Sequence, residues 1–243
     1  MDNNLSKQYD SNDEIRAKTL ASVMRRFSPF DGTGVDLRGA GNYGDALKSA
    51  GLDFGIEQRA VRVGGGPFEG RTLSRYRVNL RSDTGEDLGI VTTQYKPILH
   101  RDAFTVAETL KDGGYADYET GGIGRGSKNA ADSSTGFLLM RHADAEIEGE
   151  QYQSFSYLRN TFDGSGGLSM KFVVVRLVCM NGLAREFQTG VGNIVIRHTK
   201  SIDEKKKLAE QIMIRQDEYV RSLKAEAAKL LNIKMSRAEF QSP

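Results

Sequence analysis

His100, His142, His198, Cys179 and the run Gly121-Gly122-Ile123-Gly124-Arg125-Gly126-Ser127-Lys128 are the residues whose types first suggest chemistry in this chain of 243 residues. None is spaced so as to commit it to a reaction. The histidines lie far apart, without the closely spaced cysteine or carboxylate partners of a zinc site, so each reads as a surface or hydrogen-bonded residue. The glycine run approaches a phosphate-binding loop, but Ser127 stands where a lysine should follow Gly126. Its flanks do not read as a strand entering a helix either, and a flexible turn is expected there. Asp83, Glu86 and Asp87 crowd one turn, where solvated carboxylates are the default. Cys179 is the only cysteine and sits in an apolar run, which excludes an internal disulfide and reads as a small buried hydrophobe in a reducing cytoplasm. These residues give no warrant for a catalytic set, a metal or a cofactor, so the chain reads as a binding protein.

The cationic side chains are more informative. Arg75, Arg77 and Arg81 share one face of a strand by the period-two rule, about 7 Å apart per step, which approaches the separation of successive phosphates in an extended strand. Tyr157 and Arg159 share a face on a later strand, with Lys171 across a hairpin turn. Rows of arginine and lysine with an aromatic for stacking suit single-stranded DNA. The competing reading is a solvated outer face kept soluble by charge. Lys and Arg together number 34 against 32 for Asp and Glu, a net charge of +2. Bulk attraction to a polyanion is thereby excluded, and any nucleic-acid binding rests on local arrangement. A protein-binding accessory factor is the alternative reading, and a nuclease a third that lacks a recognisable metal site.

The elements that would position these residues follow from periodicity and turn chemistry. Ser11 and Glu14 form a capping-box pattern before a helix expected over 12–27, and a short helix is expected near Tyr43 to Ala50. Ile56 to Val63 reads as a strand. Leu73 to Arg81 and Asp87 to Tyr95 read as a hairpin about Ser82-Asp83-Thr84-Gly85, and a helix follows near Arg101 to Lys111. The stretch from Tyr118 to Thr135 is rich in glycine and serine and reads as a mobile loop. Phe137 to His142 is a strand, Tyr152 to Asn160 and Leu168 to Met180 a second hairpin about Asp163-Gly164-Ser165-Gly166-Gly167, and Ile194 to His198 the last strand. A long helix is expected over 203–231. The fold class is α+β: one antiparallel sheet built from β-hairpins, flanked by helices including long N- and C-terminal helices. The expected division is an N-terminal helical extension over 1–35, an α+β core over 36–200, and a C-terminal helix and tail over 201–243. No apolar run reaches the roughly 20 residues of a membrane helix, and the polar start carries no secretory signal, so a cytoplasmic location is expected.

Six stretches in series carry a resemblance. They are Asn42-Tyr43-Gly44-Asp45-Ala46-Leu47-Lys48-Ser49-Ala50-Gly51-Leu52-Asp53-Phe54, Thr84-Gly85-Glu86-Asp87-Leu88-Gly89 through Tyr95-Lys96-Pro97, and Tyr118-Glu119-Thr120-Gly121-Gly122. Asn160-Thr161-Phe162-Asp163-Gly164-Ser165, Val175 to Leu183 and Ile196-Arg197-His198-Thr199 follow. Over about residues 40 to 215 the chain resembles the phage/plasmid-like domain-of-unknown-function family of prophages and plasmids. Phe54 stands where such proteins often carry tryptophan, and the chain has no tryptophan. The resemblance implies a setting in phage DNA metabolism. A looser likeness, at the level of fold, is to the Rad52-like single-strand-annealing proteins of phages. It implies a homo-oligomer that holds single-stranded DNA extended, anneals strands and catalyses nothing.

Overall fold

The computed structural model describes residues 33–124, 133–147, 150–176 and 194–196, together with Lys207 and Gln211. Cys179, His198, Gly126-Ser127-Lys128, the helix expected over 12–27 and, apart from Lys207 and Gln211, the helix expected over 203–231 lie outside the described residues.

Period-two alternation and strong turns produce strands, which dominate. β2 (Ile56–Arg62), β3 (Thr72–Arg81) and β4 (Asp87–Thr92) form an antiparallel sheet in that order, preceded in the chain by the short β1 (Val35–Asp36) and α1 (Tyr43–Ser49). The expected β3–β4 hairpin is present, with Arg77 opposite Val91 and Asn79 opposite Gly89. Its turn places Gly85 at φ 75°, in the left-handed region glycine tolerates, where its N–H donates to the Arg81 carbonyl at 2.8 Å. Two short helices follow, α2 (His100–Ala103) and α3 (Thr105–Asp112). The remaining strands are β5 (Ala116–Gly124), β6 (Thr135–His142), β7 (Ala145–Ile147), β8 (Glu150–Thr161), β9 (Leu168–Arg176) and β10 (Ile194–Ile196). They build a second antiparallel sheet in the order β1-β5-β6-β8-β9-β10, with β7 pairing to the start of β8. The second expected hairpin is β8–β9, with Phe155 opposite Val173 and Tyr157 opposite Lys171.

The expected architecture is corrected in four ways. The hairpins belong to two sheets, not one. Among the described residues the helices are short, and no long terminal helix flanks the sheet. The helix expected over 101–111 breaks at Phe104, whose backbone (φ −96°, ψ 12°) leaves the helical range while its ring is fully buried and stacks on His100. The stretch read as a mobile loop from Tyr118 contains most of β5, a largely buried strand paired along β6. Its glycines are packing residues: a Cβ on Gly121 would lie 2.9 Å from Leu37 Cδ1 and 3.1 Å from Leu138 Cδ1. Composition alone could not distinguish that use of glycine from flexibility.

The main core lies where α1, α2 and α3 cover one face of the larger sheet. Leu47, Leu52, Phe104 and Leu110 meet Leu138, Met140, Leu158 and Met170 there, each fully buried side chain contributing about 1.5–3 kcal/mol. α3 shows why it docks: Val106, Ala107 and Leu110 are buried while Glu108, Thr109 and Asp112 are exposed. On α1 the N-cap Asn42 accepts the Asp45 N–H at 2.9 Å.

A polar and aromatic seam joins the two sheets. Asn79 of β3, fully buried, donates to the Phe162 carbonyl at 2.7 Å and accepts from Gln58 Nε2 at 3.0 Å. Tyr95 donates its hydroxyl to the Thr161 carbonyl at 2.9 Å. Phe54, Leu88 and Phe162 fill the space between. Gly89, opposite Asn79, has φ 152°, and a Cβ on it would lie 2.6 Å from Asp163 Cα, so the second hairpin's turn packs directly on β4. The seam therefore needs glycine at 89 and a donor at 79.

Candidate nucleic-acid interface

This packing decides which face of β3 meets solvent. Arg75, Arg77, Asn79 and Arg81 do share a face, but its Asn79–Arg81 end turns toward the seam. Arg81 lies 4.1 Å from the centre of the buried Phe54 ring and pairs with Asp83 at 2.7 Å. That hydrogen bond holds the Asp83 carboxyl below the usual range. The opposite face is apolar and faces outward: Tyr76 is 45% exposed and Ile90 59%, with Val78 and Leu80 half-buried between them. The hydrophobic alternation thus points away from the seam, because a hydrogen-bonded asparagine and a glycine occupy the inner face.

Beyond the seam, β2 and β3 continue as a two-stranded arm closed by the tip Gly64 to Gly70. From Arg62 to Tyr76 every residue is exposed except the half-buried Val63. Within residues 58–77 the arm carries Arg59, Arg62, Arg71, Arg75 and Arg77 against a single carboxylate, Glu69. Arg59 pairs with Glu57 at 2.5 Å. Arg62, Arg71, Arg75 and Arg77 have no carboxylate partner among the described residues; Arg77 donates instead to the Tyr76 carbonyl at 3.0 Å. Elsewhere Arg38, Arg81, Arg101 and Arg141 are each matched by an aspartate. Among the described residues, arginines without a carboxylate partner are therefore concentrated on the arm.

The other residues singled out by sequence sit on the larger sheet. Tyr157 and Lys171 are direct cross-strand partners, and Arg159 lies opposite Ser169 and Phe137, so the three share one face as their spacing predicts. All three are half-buried, and the Tyr157 ring packs 5.9 Å from Phe137. Burial raises the Tyr157 phenol above its ordinary range, opposed by the nearby Arg159. The structure does not bring these residues onto the sheet that holds Arg75, Arg77 and Arg81. Sequence reasoning missed Arg62, Arg71 and Phe68; the available signal was a Gly-Gly-Gly-Pro turn between two arginine-bearing strands.

Two histidines are placed by burial. His100 is fully buried among Phe54, Phe104 and Phe162, and its Nδ1 accepts from Asn160 Nδ2 at 3.2 Å. Burial, with a smaller contribution from Arg81, lowers its pKa to about 3. His142 donates from Nδ1 to the Tyr115 carbonyl at 3.2 Å and accepts the Ser156 hydroxyl at Nε2 at 2.6 Å. Burial lowers it to about 4, against the opposing pull of the Tyr115 carbonyl. The Ser156–His142 pair has the spacing of a nucleophile and its base. Ser156 is nonetheless fully buried, so no substrate carbonyl reaches it in this arrangement. An open depression of about 420 Å³ beside His142 is lined by Tyr115, Asp117, Arg141 and Asp144, with Arg141 and Asp144 paired at 3.1 Å. No cluster of three or more histidine, cysteine or carboxylate side chains suited to a metal occurs among the described residues, and no helix there is long and apolar enough to cross a membrane.

Residues 87–242 match the domain of unknown function DUF932. The chain belongs to this family. The DUF932 match takes in β4 and the strands of the larger sheet from β5 onward, leaving out β1, and runs to residue 242. The arm and the Asn42–Phe54 stretch precede it. No curated protein and no solved structure matches the chain.

Proposed function

We propose that this protein binds single-stranded DNA through the β2–β3 arm and does so without catalysis. The observation that carries the reading is the set of arginines without a carboxylate partner, the exposed Arg62, Arg71 and Arg75 and the half-buried Arg77, on the ribbon of a chain whose net charge is only +2. Leaving cations unpaired while others are neutralised creates a local positive field that attracts a polyanion. Arg75 and Arg77 project from one face about 7 Å apart, a spacing that suits successive phosphates of an extended strand. In this reading an oligomer would align several arms along one strand, and strand annealing in a phage or plasmid setting is the activity such an assembly would serve. Anisotropy titration of the purified protein with labelled single-stranded and duplex DNA, at low and moderate salt, tests it. Tighter binding of the single strand, weakening as salt rises, is expected; no binding to either DNA at low salt overturns the reading.

The apolar outer face of the same sheet favours a second reading, contact with another copy of the chain. Tyr76, Val78, Leu80 and Ile90 make a row that water meets at a cost. Sedimentation of the wild type and of Ile90→Asp across a range of concentrations checks this. Self-association that the charge weakens supports it, and identical behaviour of the two proteins removes it.

A further inference from the structure

We infer that the tip of the β2–β3 arm is a base-stacking site, with Phe68 as platform and Arg71 beside it, that takes an unstacked base of a single strand. The inference rests on the reading of the arm as a DNA-binding element. Phe68 is 62% exposed, more than any other large apolar side chain among the described residues, yet it is not on a loose loop. It ends the single 3-10 turn Gly66–Phe68, in which Pro67 fixes its own φ. Four backbone hydrogen bonds close the tip: Val63 N–H to the Arg71 carbonyl at 2.9 Å, Gly70 to Val63 at 2.8 Å, Glu69 to Gly66 at 3.1 Å and Arg71 to Phe68 at 3.0 Å. The ring is therefore held out into water by an ordered turn.

Its surroundings suit a planar, anionic-backed ligand. The Arg71 guanidinium lies over one face of the ring, 5.8 Å from its centre, and has no carboxylate partner among the described residues, which leaves the other face for a base. It can serve a phosphate or a base face while Phe68 serves another. Gly64 and Gly65 precede the turn, and a Cβ on either would meet nothing within 4 Å, so no packing in the fold requires glycine there. The exposure of the ring itself leaves it open to approach. An exposed aromatic at the end of a basic ribbon, with a cation against it, recognises a nucleobase by its π-face, which every base has, so the site is tolerant of sequence.

The test uses the full chain, a mixed-sequence single strand, and a strand of equal length in which abasic sites replace the nucleotides. The abasic strand keeps the phosphates and removes the stacking partner. Wild type is expected to favour the strand with bases. Phe68→Ala is expected to bind it roughly 5- to 150-fold more weakly, with the salt dependence unchanged and abasic binding unaltered; Phe68→Tyr is expected to restore the preference. Circular dichroism of the variants establishes that the fold is kept, as an exposed position allows. Binding of both strands that Phe68→Ala leaves unchanged overturns the stacking site and leaves the arginine arm standing. Failure of the wild type to bind either strand overturns both.

Discussion

At the scale of single residues, two histidines report on the fold through their burial. His100 and His142 have folded-state pKa values near 3 and 4, below the ordinary 6.5, because burial disfavours the imidazolium. Protons then bind the unfolded chain before the folded one. The stability these neutral imidazoles contribute is fully present above pH 6.5 and is lost as pH falls from 6.5 toward 4 and 3. Urea unfolding at pH 7 and pH 5 is expected to show a loss of about 2 kcal/mol for each of the two histidines, and His100→Gln or His142→Gln is expected to remove about that much of the difference. An unchanged pH dependence in both variants contradicts the burial. Sequence left two readings open here: isolated histidines at 100 and 142 look like surface or hydrogen-bonded residues, and the structure shows the second, with the rings of Phe54, Phe104 and Phe162 and Asn160 around one and Ser156 and the Tyr115 carbonyl bracketing the other.

At the scale of elements, what was legible was local. Alternation and turn residues gave β3–β4 and β8–β9 correctly, because both depend on neighbours in sequence. Placing the hairpins in separate sheets was not legible, since it depends on contacts such as Asn79 with Phe162 and Gly89 with Asp163, each far apart in the chain. The same contacts explain why the arginine-bearing face of β3 turns inward at its far end. Sequence grouped Arg75, Arg77 and Arg81 correctly on one face, but could not show that Arg81 is occupied by Asp83 and Phe54 while Arg75 stands exposed on the arm. The seam's role can be measured. Asn79→Ala leaves the Phe162 carbonyl without its side-chain donor and Gln58 with the Tyr95 carbonyl at 3.3 Å in place of two acceptors, and is expected to cost about 1–3 kcal/mol in urea unfolding. Stability equal to wild type would show that the seam does not depend on this bond.

At the scale of the whole molecule, a sheet covered by short helices supports a smaller sheet from which a basic arm extends. The larger sheet, apart from its edge strand β1, lies within the span that matches the DUF932 family, whereas the arm precedes it. The central claim is that the unmatched arginines of the arm contact phosphates of a single strand. It makes a quantitative demand, because each neutralised phosphate releases counterion and steepens the salt dependence. The deciding measurement is the slope of log affinity against log salt for wild type and for the combined variant Arg62→Ala, Arg71→Ala, Arg75→Ala, Arg77→Ala, both shown to be folded. The slope is expected to flatten by about 0.7 for each phosphate that an arginine no longer neutralises, close to three units if all four arginines engage. A folded variant that binds with wild-type affinity and an unchanged salt slope contradicts the claim.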